Sequence, residues 1–314
     1  MDNSKRQYGN KAAALPLFAF VMILVFSISW DIFADSTHNV VIITSSNSNY
    51  QHQTAARIQE KLEASGAMAI IITTDKIISS SRNVKTLYVA IGEDAIKSLH
   101  EYDSDAFVLR ISSRKIPDSE YTSAQSDFIT AQPDCRHIQL IKSINPEWSS
   151  VGVLSSLGSL DIAGALTKCA IRQNLNLRIY AITDNTDLLI TLETAIEDNK
   201  VLLAISDPLI YNSNTVKNIL LTAYRHRKPV IGYSDSFVQA GAIAAIYTSS
   251  ESVGDKAATI ISGFFSNNWQ FSKNIYVTGD FSISANTQVA TSLDITLPSN
   301  ESIRNSIMKM EKRP

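Results

Sequence analysis

At 314 residues the chain exceeds what one hydrophobic core usually serves, so two domains are expected. A hydrophobic content of 45% with 18% charged residues describes a globular protein with ample apolar surface to bury. A net charge of −2 excludes a global field that would draw the chain to nucleic acid, and no low-complexity tract, heptad run or fixed-period repeat occurs.

Lys5, Arg6 and Lys11 precede Ala12–Trp30, an apolar stretch without a charge, and Ala34-Asp35 offers a small-residue exit. This order predicts an export signal over 1–34. The apolar run is also long enough to span a bilayer, so an uncleaved membrane anchor is the alternative. Either way the remainder is expected outside the cytoplasm. Acylation is disfavoured because the segment has no Cys.

From Val40 onward strands and helices alternate. Strands are predicted at Val40–Thr44, Met68–Thr73, Thr86–Ile91 and Phe107–Ile111. Helices are predicted at Thr54–Ala64, with Ala55, Ile58 and Leu62 on one face, and at Glu93–His100. Continuous rather than alternating hydrophobicity in the strands implies burial on both faces, hence parallel sheets flanked by helices. Residues 112–135 read as irregular, with a short strand at Phe128–Thr130. Helix Arg136–Ile144 and the break at Asn145-Pro146 then mark the first crossing between domains. A second series starts at Val151–Ser155 and continues through helix Leu160–Gln173, strand Leu177–Ile182, helix Asp187–Asp198, strand Val201–Ile205, helix Thr215–His226 and strand Val230–Tyr233. Ile243–Tyr247, helix Val253–Phe265, Tyr276–Ser284 and helix Asn286–Leu293 complete it. Two successive βαβα series predict two similar α/β lobes. The expected division is 38–143 plus about 250–270 for the first lobe, 146–248 plus about 274–300 for the second, and a C-terminal tail at 301–314.

Cys135 and Cys169 are the chain's two cysteines. They could pair in an oxidising compartment, but Cys169 lies on the apolar side of a helix, where a buried free thiol is common.

Polar groups gather where the apolar runs end. Ser206-Asp207-Pro208 follows one strand; Asp207 either reaches a ligand ammonium or hydroxyl or caps the Pro208–Tyr211 turn. Gly232–Ser236 is one residue short of a G-x-S-x-G nucleophile elbow, with Ser236 in place of the second Gly. That fold places its catalytic His after the Ser, and His38, His52, His100, His137 and His226 all precede Ser234. Ser234, Asp235 and Ser236 therefore read as a crevice wall, and no enzymatic role is expected. Ser46, Asn47 and Tyr50 end the first strand at a helix N-terminus, suited to a carboxylate or other anion, with Tyr50 able to stack on a flat ligand; an ordinary N-cap is the alternative. Gly92-Glu93 holds the corresponding place after the third strand, Gly92 permitting close approach of a ligand or the opposite lobe. Arg225–Lys228 ends a helix and reads as dipole complementation. HExxH, CxxC, GxGxxG and Walker patterns do not occur, so neither metal nor cofactor is expected.

LLAISDPLIYN, NILLTAYRHRKPVIGYSDSFVQAGAIAAIYTS, the helix bearing Gly254 and SISANTQVATSLDITLPS (282–299), with weaker echoes in IGEDAIKSL and Val151–Leu154, resemble ABC-transporter substrate-binding proteins of the family that includes the tryptophan/tyrosine-type binding proteins. The resemblance implies a type I periplasmic-binding fold: two Rossmann-like lobes closing on a ligand, hinged near 142–148, 247–252 and 268–275. By position it assigns Ser46, Asn47, Gly92 and Glu93 to the ligand-facing side of one lobe. It assigns Asp207, Tyr211, Ser234, Asp235, Ser236, Gln239 and Gly241 to the other. The lipobox usual in that family is missing, and TSSNSNYQ differs from its aromatic amino-acid binders. The implied partners are a small organic solute and either an ABC permease or, without transport, a membrane sensor protein; the implied place is the periplasm.

Overall fold

The computed structural model describes residues 39–79, 85–103, 105–114, 124–183 and 187–312. The expected export segment lies outside the described residues. Among those described, no helix is long and apolar enough to cross a membrane.

Two six-stranded sheets organise Asn39–Pro314 into two lobes. The first contains β1 (Asn39–Thr44), β2 (Met68–Thr73), β3 (Thr86–Ile91), β4 (Phe107–Ser112), β5 (Gln125–Ile129) and β11 (Ile275–Val277), in the order β11-β5-β4-β3-β1-β2, all parallel. The second contains β6 (Ser150–Ser156), β7 (Asn176–Ile182), β8 (Val201–Leu203), β9 (Val230–Gly232), β10 (Ala244–Tyr247) and β12 (Ser282–Ala285), in the order β12-β10-β9-β8-β6-β7. Only β12 in that sheet runs antiparallel, pairing Ala244 with Ala285 and Tyr247 with Ser282. Apolar runs without alternation produce the central strands: Val40–Ile43, Leu87–Ile91 and Val151–Leu154 are buried on both faces. Met68–Thr73 departs from this expectation. It is an edge strand with Met68 and Ile70 exposed, because nothing pairs beyond it.

In the first lobe α1 (Asn49–Glu63) and α8 (Ser250–Ser266) pack together on one sheet face. Gly254 makes that approach possible, since a Cβ there would lie 2.5 Å from Arg57 Cγ. Arg57 then crosses to α8 with a bidentate pair to Asp255 (2.7 and 3.2 Å). The opposite face is covered by α2 (Glu93–Tyr102) and the 3-10 turn Thr74–Ser79. The second lobe carries α3 (Asp134–Ile144), α4 (Leu160–Arg172), α5 (Leu188–Asp198), α6 (Val216–Arg225), α7 (Asp235–Ala240), α9 (Thr287–Ser292) and α10 (Asn300–Glu311) around one core.

Four expectations change. Helix α3 belongs to the second lobe, because Ile138, Leu140, Ile141 and Ile144 enter that core, so the first crossing is at 130–133 rather than 142–148. Tyr276–Ser284 is two strands in different sheets, which moves the third crossing to 278–281. The expected tail contains α10, whose Ile303 and Ile307 are fully buried in the second core. Cys135 on α3 and Cys169 on α4 are a disulfide rather than thiols, their Cα atoms 5.1 Å apart.

Candidate functional site

The three crossings are sewn together by a few side chains. Gln132 donates through Nε2 to Thr248 Oγ1 (2.6 Å) and to the Asp280 carbonyl (2.9 Å), so one amide holds all three. Its Oε1 accepts from Arg136 Nη1 (2.7 Å), and Arg136 also donates to the Gly279 carbonyl and pairs with Glu311 (2.6 Å). Thr248 Oγ1 donates to the Thr130 carbonyl (2.6 Å).

Beside these crossings lies a cleft of about 1540 Å³ whose walls are the carboxyl ends of strands from both sheets. Asn47 follows β1, Glu93 follows β3, Arg114 follows β4 and Thr130 follows β5; Gly158, Ser206, Ser234 and Thr248 follow β6, β8, β9 and β10. That is where open α/β sheets bind ligands. The volume exceeds the ~300–1,000 Å³ of a filled small-ligand pocket, which leaves room for the lobes to close.

On the first wall, Ser48 caps α1 by accepting from Gln51 N–H (3.3 Å). The first turn presents Tyr50, a partly exposed residue whose hydroxyl donates to the Thr248 carbonyl (3.0 Å). Burial raises the Tyr50 hydroxyl far above its ordinary range, partly opposed by a hydrogen bond with Thr130, so it remains a donor at any physiological pH. Glu93 opens α2 and pairs with Arg114 (3.0 Å). Deeper on this wall, Arg110 pairs with the fully buried Asp127 (2.6 Å).

On the second wall, Asp235 begins α7. Its carboxylate accepts from Gln239 Nε2 (2.6 Å) and Ser284 Oγ (2.6 Å). Tyr247 is raised by burial first and then by the charge and hydrogen bond of Asp235. Ser234 and Ser236 share a hydrogen bond between hydroxyls (2.8 Å), so the elbow-like turn pairs its serine with another serine rather than with a base. Tyr233 lines the cleft with its hydroxyl pushed up to about 12 by burial and then by the Asp207 charge. Its ring packs on Phe237 at 4.8 Å, and both pack edge-on with Tyr211.

Of the residues singled out in the sequence, Asn47, Tyr50, Glu93, Ser234, Asp235, Ser236 and Gln239 line this cleft together. The other five do not line it. Asp207 is 1% exposed, and its carboxylate accepts from Ser156 N–H (2.8 Å) and Leu209 N–H (3.2 Å), while its carbonyl takes the N–H groups of Ile210 and Tyr211. It is a buried anchor that ties the 207–211 turn to the end of β6. Tyr211 is buried behind Tyr233, its hydroxyl raised by burial. Gly92 adopts φ +90°, and a Cβ there would overlap the Gln51 side-chain amide, so the close approach comes from its own lobe. Ser46 is exposed and gives its carbonyl to His52 (3.2 Å). Gly241 ends α7.

Residues the sequence reading missed also line the cleft: Arg110, Arg114, Thr130, Gln132, Asp134, His137, Tyr247 and Thr248. Asp134 is raised by burial and then by the neighbouring charge of Asp161; His137 is pushed down to about 4 by burial. Most of them sit in or next to the crossings, where no periodic pattern points to them. Among the described residues, no group of three His, Cys, Asp or Glu side chains is placed to hold a metal ion.

A family model described as ABC transporter substrate binding protein matches residues 123–308. A search of curated proteins finds no match. Among solved structures, the ligand-free, open form of CD0873, a substrate binding protein with adhesive properties from Clostridium difficile, is 18% identical, with 84% of this chain and 97% of that one covered at a TM-score of 0.71. A conserved domain protein from Vibrio cholerae is 17% identical over 86% and 98%, TM-score 0.66. An ABC domain from Streptococcus pneumonia in complex with L-Trp is 14% identical over 85% and 98%, TM-score 0.64. At these identities the likeness establishes the fold: two lobes with mostly parallel sheets.

Proposed function

The chain belongs to the family of ABC transporter substrate-binding proteins, and from that membership we propose that it captures a small zwitterionic solute with a planar apolar body and delivers it to an ABC permease. A solute-binding role follows from the family. The solute class rests on the cleft, and its central observation is Asp235. Gln239, Ser284 and Tyr247 all donate to that carboxylate and orient it. A carboxylate has about four lone-pair sites, so it keeps acceptor capacity for a ligand ammonium. The N-terminus of α1 and Arg114 offer the opposite wall to a ligand carboxylate. The rings of Tyr50, Tyr233 and Tyr247 supply flat apolar surface between them. The solved relative in complex with L-Trp carries a solute of this class.

Export is part of the same proposal. Residues 1–34 have the order of a signal or anchor, and the Cys135–Cys169 disulfide suits an oxidising compartment such as the periplasm.

The test is calorimetric titration with L-tryptophan, L-tyrosine and L-phenylalanine on wild type and Asp235→Asn. Losing a charge-assisted hydrogen bond of roughly 1.5–3 kcal/mol should weaken the binding ligand about 10- to 100-fold with little change in melting temperature. Equal affinity in the two proteins would remove Asp235 from the ligand and with it the basis for an amino-acid-like solute.

A further inference from the structure

Arg172 closes α4 at the surface of the second lobe, exposed to solvent. Its guanidinium nonetheless turns to the disulfide: Nη2 donates to Cys135 Sγ (3.1 Å) and to Cys169 Sγ (3.6 Å). Among the described residues it has no carboxylate partner. A sulfur within an intact disulfide is a weak acceptor, so these contacts contribute little while the bond stands. A thiolate in the same place would accept a charge-assisted hydrogen bond, about twice as strong as a neutral one.

The two sulfurs differ in setting. Cys135 is half-buried in the first turn of α3, where the helix N-terminus favours negative charge. Asp134, the residue before it, is the carboxylate that opposes this field. Cys169 is 6% exposed near the end of α4. An approachable sulfur at a helix start, a buried second sulfur and a cation touching both are the surroundings of a disulfide that exchanges, and an inert staple needs none of them.

We infer that Cys135–Cys169 is a thiol-exchange site for a dithiol reductant, with Arg172 stabilising the reduced form and the crossings responding to it. A thiolate of the reductant attacks Cys135 Sγ, the S–S bond breaks, and Cys169 leaves as a thiolate beside Arg172. The reductant's second thiolate then attacks the reductant's own sulfur in the mixed disulfide and releases Cys135. Two electrons pass to the protein, the reductant becomes a disulfide, and its two protons go to the cysteine pair or to solvent. The response at the crossings follows from what comes next in the chain. Arg136 is held by Gln132, by the Gly279 carbonyl and by Glu311, and Gln132 holds the crossings at Thr248 and Asp280. Cutting the tie between α3 and α4 loosens the first turn of α3 directly beside that network.

The experiment equilibrates wild type, Arg172→Gln and Arg172→Lys with reduced and oxidised dithiothreitol at about pH 8.5, where a free thiol is half ionised. Alkylated cysteines are counted by mass. Arg172→Gln should shift the equilibrium toward the disulfide by about threefold to tenfold, and Arg172→Lys should recover part of that shift. Reduced wild type should keep its near-ultraviolet circular dichroism while its amides at 132–137 and 278–281 exchange faster than in the oxidised protein. Equal equilibria in wild type and Arg172→Gln overturn the inference, because Arg172 then does nothing for the thiolates. Loss of the near-ultraviolet signal on reduction overturns it too, by making the bond a structural staple, as does unchanged amide exchange at the crossings.

Discussion

Asp207 separates a structural carboxylate from a functional one, and its replacement can be worked out from the fold. Its two oxygens accept from the N–H groups of Ser156 and Leu209, at 2.8 and 3.2 Å. In Asp207→Ala the exposed Leu209 can turn to water, but Ser156, 6% exposed at the end of β6, cannot. A hydrogen bond to a charged group contributes about 1.5–3 kcal/mol, and a stranded buried N–H costs about 1–3 kcal/mol. The two overlap, so the net loss is placed at about 3 kcal/mol. For a protein of this size that lowers the melting temperature by about 6–10 °C. Asp207→Asn keeps one acceptor oxygen and should lose roughly half as much. Both are measured by urea or thermal unfolding, and ligand affinity extrapolated to fully folded protein should stay within about threefold of wild type. A variant with wild-type stability and abolished binding would refute this reasoning and return Asp207 to the ligand.

Two further outcomes are expected. Reducing the Cys135–Cys169 bond, or replacing both residues by Ser, frees a loop with a sequence separation of 34 and should destabilise the protein by about 3–4 kcal/mol on the chain-entropy argument; an unchanged melting curve with two titratable thiols in the native protein would contradict the pairing. The second concerns acid. His137 titrates near 4 when folded, against about 6.5 unfolded, so the unfolded chain takes up a proton first and the stability present above about pH 6.5 is lost as pH falls toward 4. The loss between pH 7.5 and pH 5 is about 2 kcal/mol. Of the carboxylates lining the same part of the cleft, Asp134 is shifted upward and opposes this loss at the acid end, and Asp161 contributes to that upward shift. The His137 share is the difference in slope between wild type and His137→Gln, and equal slopes would show that His137 is not buried as a neutral ring.

The parts of this fold that were legible in the sequence are those set by local pattern. Val40–Ile43, Leu87–Ile91 and Val151–Leu154 are unbroken apolar runs because they lie between helices on both faces, and a run of that kind reveals itself without tertiary information. Ser234–Ser236 were legible for a related reason: they follow a buried strand and open a helix, the place where parallel sheets expose polar groups, whereas Gln239, near the end of that helix, came only through the family resemblance. Asp207 has the same local setting and a different fate. What decides it is the N–H of Ser156, 51 positions away, which no local pattern displays. Gln132 and Thr248 are 116 positions apart and sit in short polar connections with no periodicity, so their joint role in holding the crossings emerges only in three dimensions. Ile275–Val277 and Ser282–Ala285 read as one segment because both are β-prone; their separation into two sheets depends on Asp127 N–H donating to the Asn274 carbonyl on one side and β10 pairing with β12 on the other.

The claim that a small solute is held between the two lobes is tested most directly by amide hydrogen exchange with and without the amino acid that binds in the titrations above. Added protection should appear on both walls together, at 45–53 in the first lobe and at 233–239 in the second, and at the crossings 130–133 and 247–250. Protection confined to one lobe, or located away from the strand ends, would contradict it.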